Sequence, residues 1–172
     1  MKICINAGHC YGVDPGAIGQ KGTQEAYITK LIASHVKKYL SGRKGVEVVS
    51  VSDARLAKVC RVSNENKCDY FISIHCNAAE NKTARGTETF YFKGSRKGKK
   101  LAKEINDEIV ATLGTRDRGI KENDYFYVLK HTNAPAVLVE CEFISNLQGE
   151  KLLCEQANLF AQAITRGLLE VL

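Results

Sequence analysis

The chain has no tryptophan, and its seven tyrosines are scattered. It offers no platform on which successive bases could stack. The net charge of +6 is spread along the sequence, and charge that diffuse rarely holds nucleic acid at physiological salt. Neither nucleic acid nor a membrane is therefore expected as a partner. No apolar run is long enough to span a bilayer. The N-terminus, MKICINAGHC, lacks both the long apolar segment and the small-residue cleavage site of a secretory signal. Synthesis in the cytoplasm without a signal peptide is expected. The seven cysteines are odd in number and none forms a Cys-x-x-Cys pair. Reduced thiols are expected, with Cys4, Cys68 and Cys141 serving as small core residues. No repeat, low-complexity tract or linker breaks the 172 residues, of which 44% are hydrophobic. One domain over 1–172 with a sizeable core is expected, as a monomer.

What is present alternates between two periodicities. Lys2–Asn6, Val46–Val51, Asp69–Ala78, Gly86–Phe92, Tyr125–Leu129 and Ala136–Glu140 are short and rich in β-branched or aromatic residues, as strands are. Gly86–Phe92 alternates Thr87, Thr89 and Tyr91 against Glu88, Phe90 and Phe92, which suits an edge strand. Helical spacing marks about 23–40, opened by Thr23 as N-cap, and Arg55–Lys67 with Leu56, Val59, Cys60 and Val62 inward. Ser95–Leu113 and one helix or a pair over Gln148–Leu172 follow. The basic patch Lys93–Lys100 reads as a solvated helix start, and Gly114–Asn123 as a charged loop. Strands alternating with helices predict a three-layer α/β/α sandwich around a twisted, largely parallel sheet of about six strands.

Three of these strands lead to a group with chemistry. The first delivers His9, the third His75, and the AVLVE strand ends at Glu140. If they are parallel neighbours, all three groups stand at one sheet edge, where ligands gather in open α/β folds. Glu25 follows a glycine-rich loop from the same edge, in the first turn of a helix. Each has a plainer reading: a hydrogen-bonded structural histidine, or a carboxylate favoured by a helix N-terminus. Together, two imidazoles and a carboxylate make the ligand set of a catalytic zinc site, and a further carboxylate would act as general base. No His-Glu-x-x-His pattern ties them together locally.

Several separate segments carry a resemblance: Asn6-Ala7-Gly8-His9, Asp14-Pro15-Gly16-Ala17-Ile18-Gly19, Glu25, Ser73-Ile74-His75-Cys76-Asn77-Ala78, Arg118-Gly119-Ile120-Lys121, Tyr127-Val128-Leu129, Pro135–Glu140 and Ile144-Ser145-Asn146. In this order, nearly end to end, they resemble the zinc-dependent N-acetylmuramoyl-L-alanine amidases that cut peptidoglycan. The resemblance implies Zn2+ held by His9, Glu25 and His75, with Glu140 as the catalytic carboxylate; Asn77, just beyond the His75 strand, becomes a candidate substrate contact. It implies hydrolysis of the amide between N-acetylmuramic acid and L-alanine, in a chain resembling the catalytic module of a phage endolysin that reaches the wall after release. Two other readings stand beside it, a zinc peptidase cutting within the stem peptide and a wall-binding protein without catalysis. The chain departs from the family pattern twice. Glu140-Cys141-Glu142-Phe143 stands where E-x-G-F is usual, which makes Glu142 a rival base. Ser50–Arg55 replaces a TRxxD stretch. His131 is a further candidate for a supporting role.

Overall fold

A computed structural model describes all residues, 1–172. In chain order the elements are β1 (Lys2–Ala7), α1 (Glu25–Leu40), β2 (Glu47–Val51), α2 (Leu56–Glu65), β3 (Tyr70–Asn77), β4 (Thr87–Phe92), α3 (Arg96–Leu113), β5 (Asp117–Asn123), α4 (Tyr127–His131), β6 (Ala136–Phe143), α5 (Leu147–Glu155) and α6 (Ala157–Leu169). The six strands form one sheet in the order β2-β1-β3-β6-β4-β5. The first four are mutually parallel, β4 runs antiparallel to β6, and β5 is parallel to β4.

Strand alternation divides the side chains between two cores. Ile3 and Ile5, Ile72 and Ile74, and Val137 and Val139 face α1, α3 and α6, where a 25-residue cluster packs. Cys4, Phe71 and Leu138 face the other way, into a cluster of nine with Val59 and Cys60 of α2 and Val128 and Leu129 of α4. Each fully buried Ile, Leu or Phe contributes about 1.5–3 kcal/mol relative to exposure, so the larger layer dominates stability. The smaller cover leaves part of its face open. Ser73 and His75 continue the Phe71 side of β3, and Glu140 continues the Leu138 side of β6, beyond the reach of α2 and α4. All seven cysteines are free, and Cys4, Cys68 and Cys141 are buried as expected.

The structure corrects several sequence-based expectations. Tyr125–Leu129 is not a strand. Asn123 Oδ1 accepts hydrogen bonds from the Tyr125 and Phe126 amides, starting a turn, and α4 follows. The charged segment expected as loop contains β5, an outer strand whose polar residues need face only one neighbour. β4, expected at an edge, is internal. Helix α1 begins at Glu25 with Gln24 at the N-cap, so Thr23 does not cap it. Leu56 is exposed, and the buried residues of α2 are Val59, Cys60 and Ser63. β6 does not stop at Glu140 but runs to Phe143. A bulge lies past Glu140, since His75 pairs with Glu140 while Asn77 pairs with Phe143.

One buried carboxylate secures the loop that leads into α1. Glu150, on α5 and 1% exposed, accepts hydrogen bonds from the Lys21 and Thr23 amides at 2.9 and 3.2 Å. Burial would raise its pKa, but the hydrogen bonds from Thr23 and Lys21 outweigh that and hold it below the usual carboxylate value. A folded pKa lower than the unfolded value, about 4.3, gives stability that is fully present above that pH and is lost as pH falls through the lower folded value. Glu150→Gln should therefore lower the melting temperature at pH 7, and the gap from wild type should close toward pH 3. Thermal unfolding across that range measures it; a gap that does not change with pH would mean the carboxylate charge is immaterial.

Candidate metal centre

Beyond β1 the chain leaves the sheet through Gly8 and His9. His9 is left-handed, with φ 62°, a conformation that costs a residue with a β-carbon about 1–2 kcal/mol. The surroundings hold it there. The Gly8 amide donates to Ile74 O, the Cys10 amide to Asp14 O, and Ser52 Oγ to His9 O. This backbone turns the His9 ring back toward β3, where its centroid lies 5.3 Å from that of His75.

Glu25, the first residue of α1 and 4% exposed, lies between the two rings. Its Oε2 is 3.1 Å from His9 Nε2 and its Oε1 is 3.1 Å from His75 Nδ1. The Ala17 and Cys76 amides donate to Oε2 and Oε1 at 3.0 and 2.9 Å. Gly16, at φ 66°, passes so close that a β-carbon there would sit 2.6 Å from His9 Cδ2 and 2.7 Å from Glu25 Oε2. Only glycine leaves that space.

The outer partners set the tautomers. His9 Nδ1 lies 2.8 Å from Asp14 Oδ2, so this nitrogen carries the proton and Nε2 faces inward. Ser73 Oγ donates to Asn6 Oδ1 at 2.7 Å and can accept from His75 Nε2 at 3.1 Å, which leaves His75 Nδ1 facing inward. Two ring nitrogens and a carboxylate oxygen thus converge, all within 4.8 Å of one another. Each ring is oriented through its other nitrogen, as in sites where histidine ligates a metal. The donor set, two imidazoles and one carboxylate, fits a divalent cation of the zinc type.

The electrostatics agree with that fit. Burial would raise the Glu25 pKa, but hydrogen bonds from His75 and His9 outweigh it and hold the carboxyl well below its usual range. The hydrogen bond to Glu25 is the largest influence on His9 and pushes its pKa up to about 9, against the effect of burial. A proton on His9 therefore occupies the cation-free site at neutral pH, and a cation must displace it. The hydrogen bond from His9 lowers the pKa of Asp14.

Glu140 is the register partner of His75 on the neighbouring strand. The residue keeps some exposure, but its Oε2 is closed off from solvent and has no hydrogen-bond partner. Burial raises its pKa to about 7, helped by the Glu25 and Glu88 carboxylates and opposed by His75. Glu142 also has an Oε2 without a hydrogen bond, but it is fully buried, and its Oε1 is pinned by the Gly86 and Phe143 amides at 2.5 and 2.8 Å, with Arg85 3.7 Å from its Oε2. Asn77 uses Nδ2 on Glu88 Oε1, and its Oδ1 accepts from the Ala78 amide. His131 stacks on Tyr127 at 4.1 Å and is not among the converging ligands.

A cleft lined by Asn6, His9, Asp14, Asp53, Leu56 and His75 opens at this edge. Asp53, in the segment that departs from the family pattern, is held there by Arg55 and Lys58 at 3.0 and 2.7 Å. Sequence reasoning missed the supporting roles of Asn6, Asp14 and Ser73. The signal for Ser73 was present: a polar residue inside an apolar strand, two positions before a histidine on the same face. Asp14→Asn should weaken zinc binding about 10–100-fold in a chelator competition, because the His9 ring loses its carboxylate partner. An unchanged affinity would remove Asp14 from the site.

Residues 3–170 match the family model described as N-acetylmuramoyl-L-alanine amidase. The chain is 38% identical over 178 residues to the uncharacterized protein YqiI of Bacillus subtilis strain 168, covering 96% of this chain and 82% of that one. It is 37% identical over 172 residues to N-acetylmuramoyl-L-alanine amidase LytC of the same strain, covering 96% of this chain and 34% of LytC. It thus spans about a third of that relative's length. Among solved structures, N-acetylmuramoyl-L-alanine amidase from Clostridium difficile 630 superimposes with a TM-score of 0.92 at 32% identity, covering 98% of this chain and 95% of that one.

Proposed function

The chain belongs to the N-acetylmuramoyl-L-alanine amidase family, and on that premise we propose that residues 1–172 form a catalytic domain that hydrolyses the amide between N-acetylmuramic acid and L-alanine in peptidoglycan. We assign Zn2+ to His9 Nε2, Glu25 and His75 Nδ1, and the base to Glu140. The observation that carries this reading is the contrast at one sheet edge. Three ligand atoms converge there, and a carboxylate with an unpartnered oxygen stands in register beside them. No helix is long and apolar enough to cross a membrane, and the reading places the reaction at the cell wall.

A zinc ion, when bound, supplies a Lewis acid that polarises the scissile carbonyl and acidifies the attacking water. The protein's own residues do the rest. Glu140 Oε2, free of any hydrogen bond, accepts the proton of the attacking water. It then returns that proton to the leaving nitrogen, which departs as the free α-amine of L-alanine. A base with a pKa lifted to about 7 suits both transfers. Asp14 and Ser73 orient the histidine rings, with one nitrogen of each turned inward. Glu142, bound by two amides, is the weaker candidate for base and serves to hold β6 against the start of β4.

Digestion of purified peptidoglycan should release new N-terminal alanine without new reducing sugar ends, and a chelator should stop it. New reducing ends, or cuts within the stem peptide, would defeat the assignment; the latter would favour the peptidase reading. Glu140→Gln should lower kcat by about 10²–10⁴-fold while bound zinc stays stoichiometric. A small effect there would point to Glu142 instead. The base works only when deprotonated, and a bound dication favours its carboxylate form. The acid limb of kcat/KM should therefore have its midpoint below the value of about 7 for Glu140 in the cation-free protein. It should vanish in Glu140→Gln.

A further inference from the structure

The open face of the sheet does not end at Glu140. On the next strand Glu88 is the register partner of Glu140, as Glu140 is of His75, so the three share one line across β3, β6 and β4. Glu88 is 5% exposed and accepts hydrogen bonds from Asn77 Nδ2 at 2.7 Å, Arg118 Nε at 2.7 Å and Lys121 Nζ. Two cations thus share one carboxylate, and neither has another acidic partner. One positive charge is left over. Both cations reach solvent, with side chains 31% and 41% exposed. Both are also fixed in place, Arg118 over the Phe143 ring at 4.9 Å and Lys121 over Phe90 at 5.6 Å. Arg118 spends Nε on Glu88 and one long bond of Nη1, 3.5 Å, on the Arg85 carbonyl, which leaves Nη2 and the remaining Nη1 hydrogen of a planar guanidinium for a second carboxylate.

We propose that Arg118 and Lys121, held by Glu88 and Asn77, form a subsite for a carboxylate of the substrate's stem peptide, one residue beyond the alanine whose amide is cut. This rests on the amidase reading above and adds the direction in which the peptide lies. The spacing supports it. Adjacent strands are about 4.8 Å apart, so the Glu88 position stands about 10 Å from His75 across the sheet. An extended peptide advances about 3.3–3.6 Å per residue, so a carboxylate on the second residue lies about 7–10 Å from the scissile carbonyl. With that carbonyl at the ligand cluster and Glu140 beneath the leaving nitrogen, the peptide crosses β6 and reaches the cations over β4. Asn77 and Glu88 are then positioning residues, and Arg118 and Lys121 touch the substrate.

The test uses two soluble disaccharide–tetrapeptides that differ only in the α-group of the second residue, a free carboxylate in one and a carboxamide in the other. The wild-type chain loaded with zinc should cleave both, with KM about tenfold lower for the carboxylate form, the effect of one partly exposed charge-assisted hydrogen-bonded contact. In the Arg118→Gln/Lys121→Met double variant the ratio of the two KM values should fall toward one. Arg118→Lys, which keeps the charge, should retain part of the preference. Both values come from one preparation, so a misfolded fraction lowers both rates without moving the ratio. Equal KM values in wild type, or a preference unmoved in the double variant, overturn the subsite and leave the amidase reading standing. Cleavage of neither compound at the lactyl–alanine amide overturns both.

Discussion

The site depends on one buried carboxylate with four partners. Glu25 meets His9 from the β1 exit, His75 from β3, the Ala17 amide from the loop between β1 and α1, and the Cys76 amide from β3. An unpaired charge at that depth would be costly. Its partners, and its place at the N-terminus of α1, offset the cost. The fold supplies the geometry. Parallel β1 and β3 bring their C-terminal ends together because their apolar side chains lock them between the helical layers. Glu150 then fixes the loop that carries Glu25 back to that edge.

Beside this saturated carboxylate stands one left wanting. Glu140 is the register partner of His75, yet its Oε2 has no hydrogen bond. The two environments push the two pKa values in opposite directions, Glu25 down and Glu140 up to about 7. Two carboxylates whose pKa values are driven apart by their surroundings take different chemical roles. On the proposed assignment, Glu25 is the anion that holds the cation and Glu140 the group that exchanges a proton.

Much of this was legible in the residues. Strong alternation and β-branched runs marked β1, β3 and β6, and the groups at their ends pointed to one edge. The resemblance then gave each group a role. What escaped was decided by partners distant in sequence. β5 is polar because only one neighbour covers it, so it carried no strand pattern. Tyr125–Leu129 looked like a strand by composition, but a turn organised by Asn123 overrode that propensity. Glu88 read only as one member of an alternating strand. Its burial comes from Arg118 and Lys121, about thirty residues further on, whose basic side chains gave no hint of a shared partner.

The reversed strand β4 has a consequence for how such a protein can change. Because β4 runs against β6 and β5 follows it, the starts of these two strands meet the ends of β1, β3 and β6. The proposed cation ligands and the cationic pair thus stand toward one edge of the sheet while riding on different parts of the chain. His9, Glu25, His75 and Glu140 lie outside the stretch from Glu88 to Lys121. On the proposed assignments, substitutions confined to that internal stretch would alter which peptide is preferred while leaving the four proposed catalytic-site residues untouched.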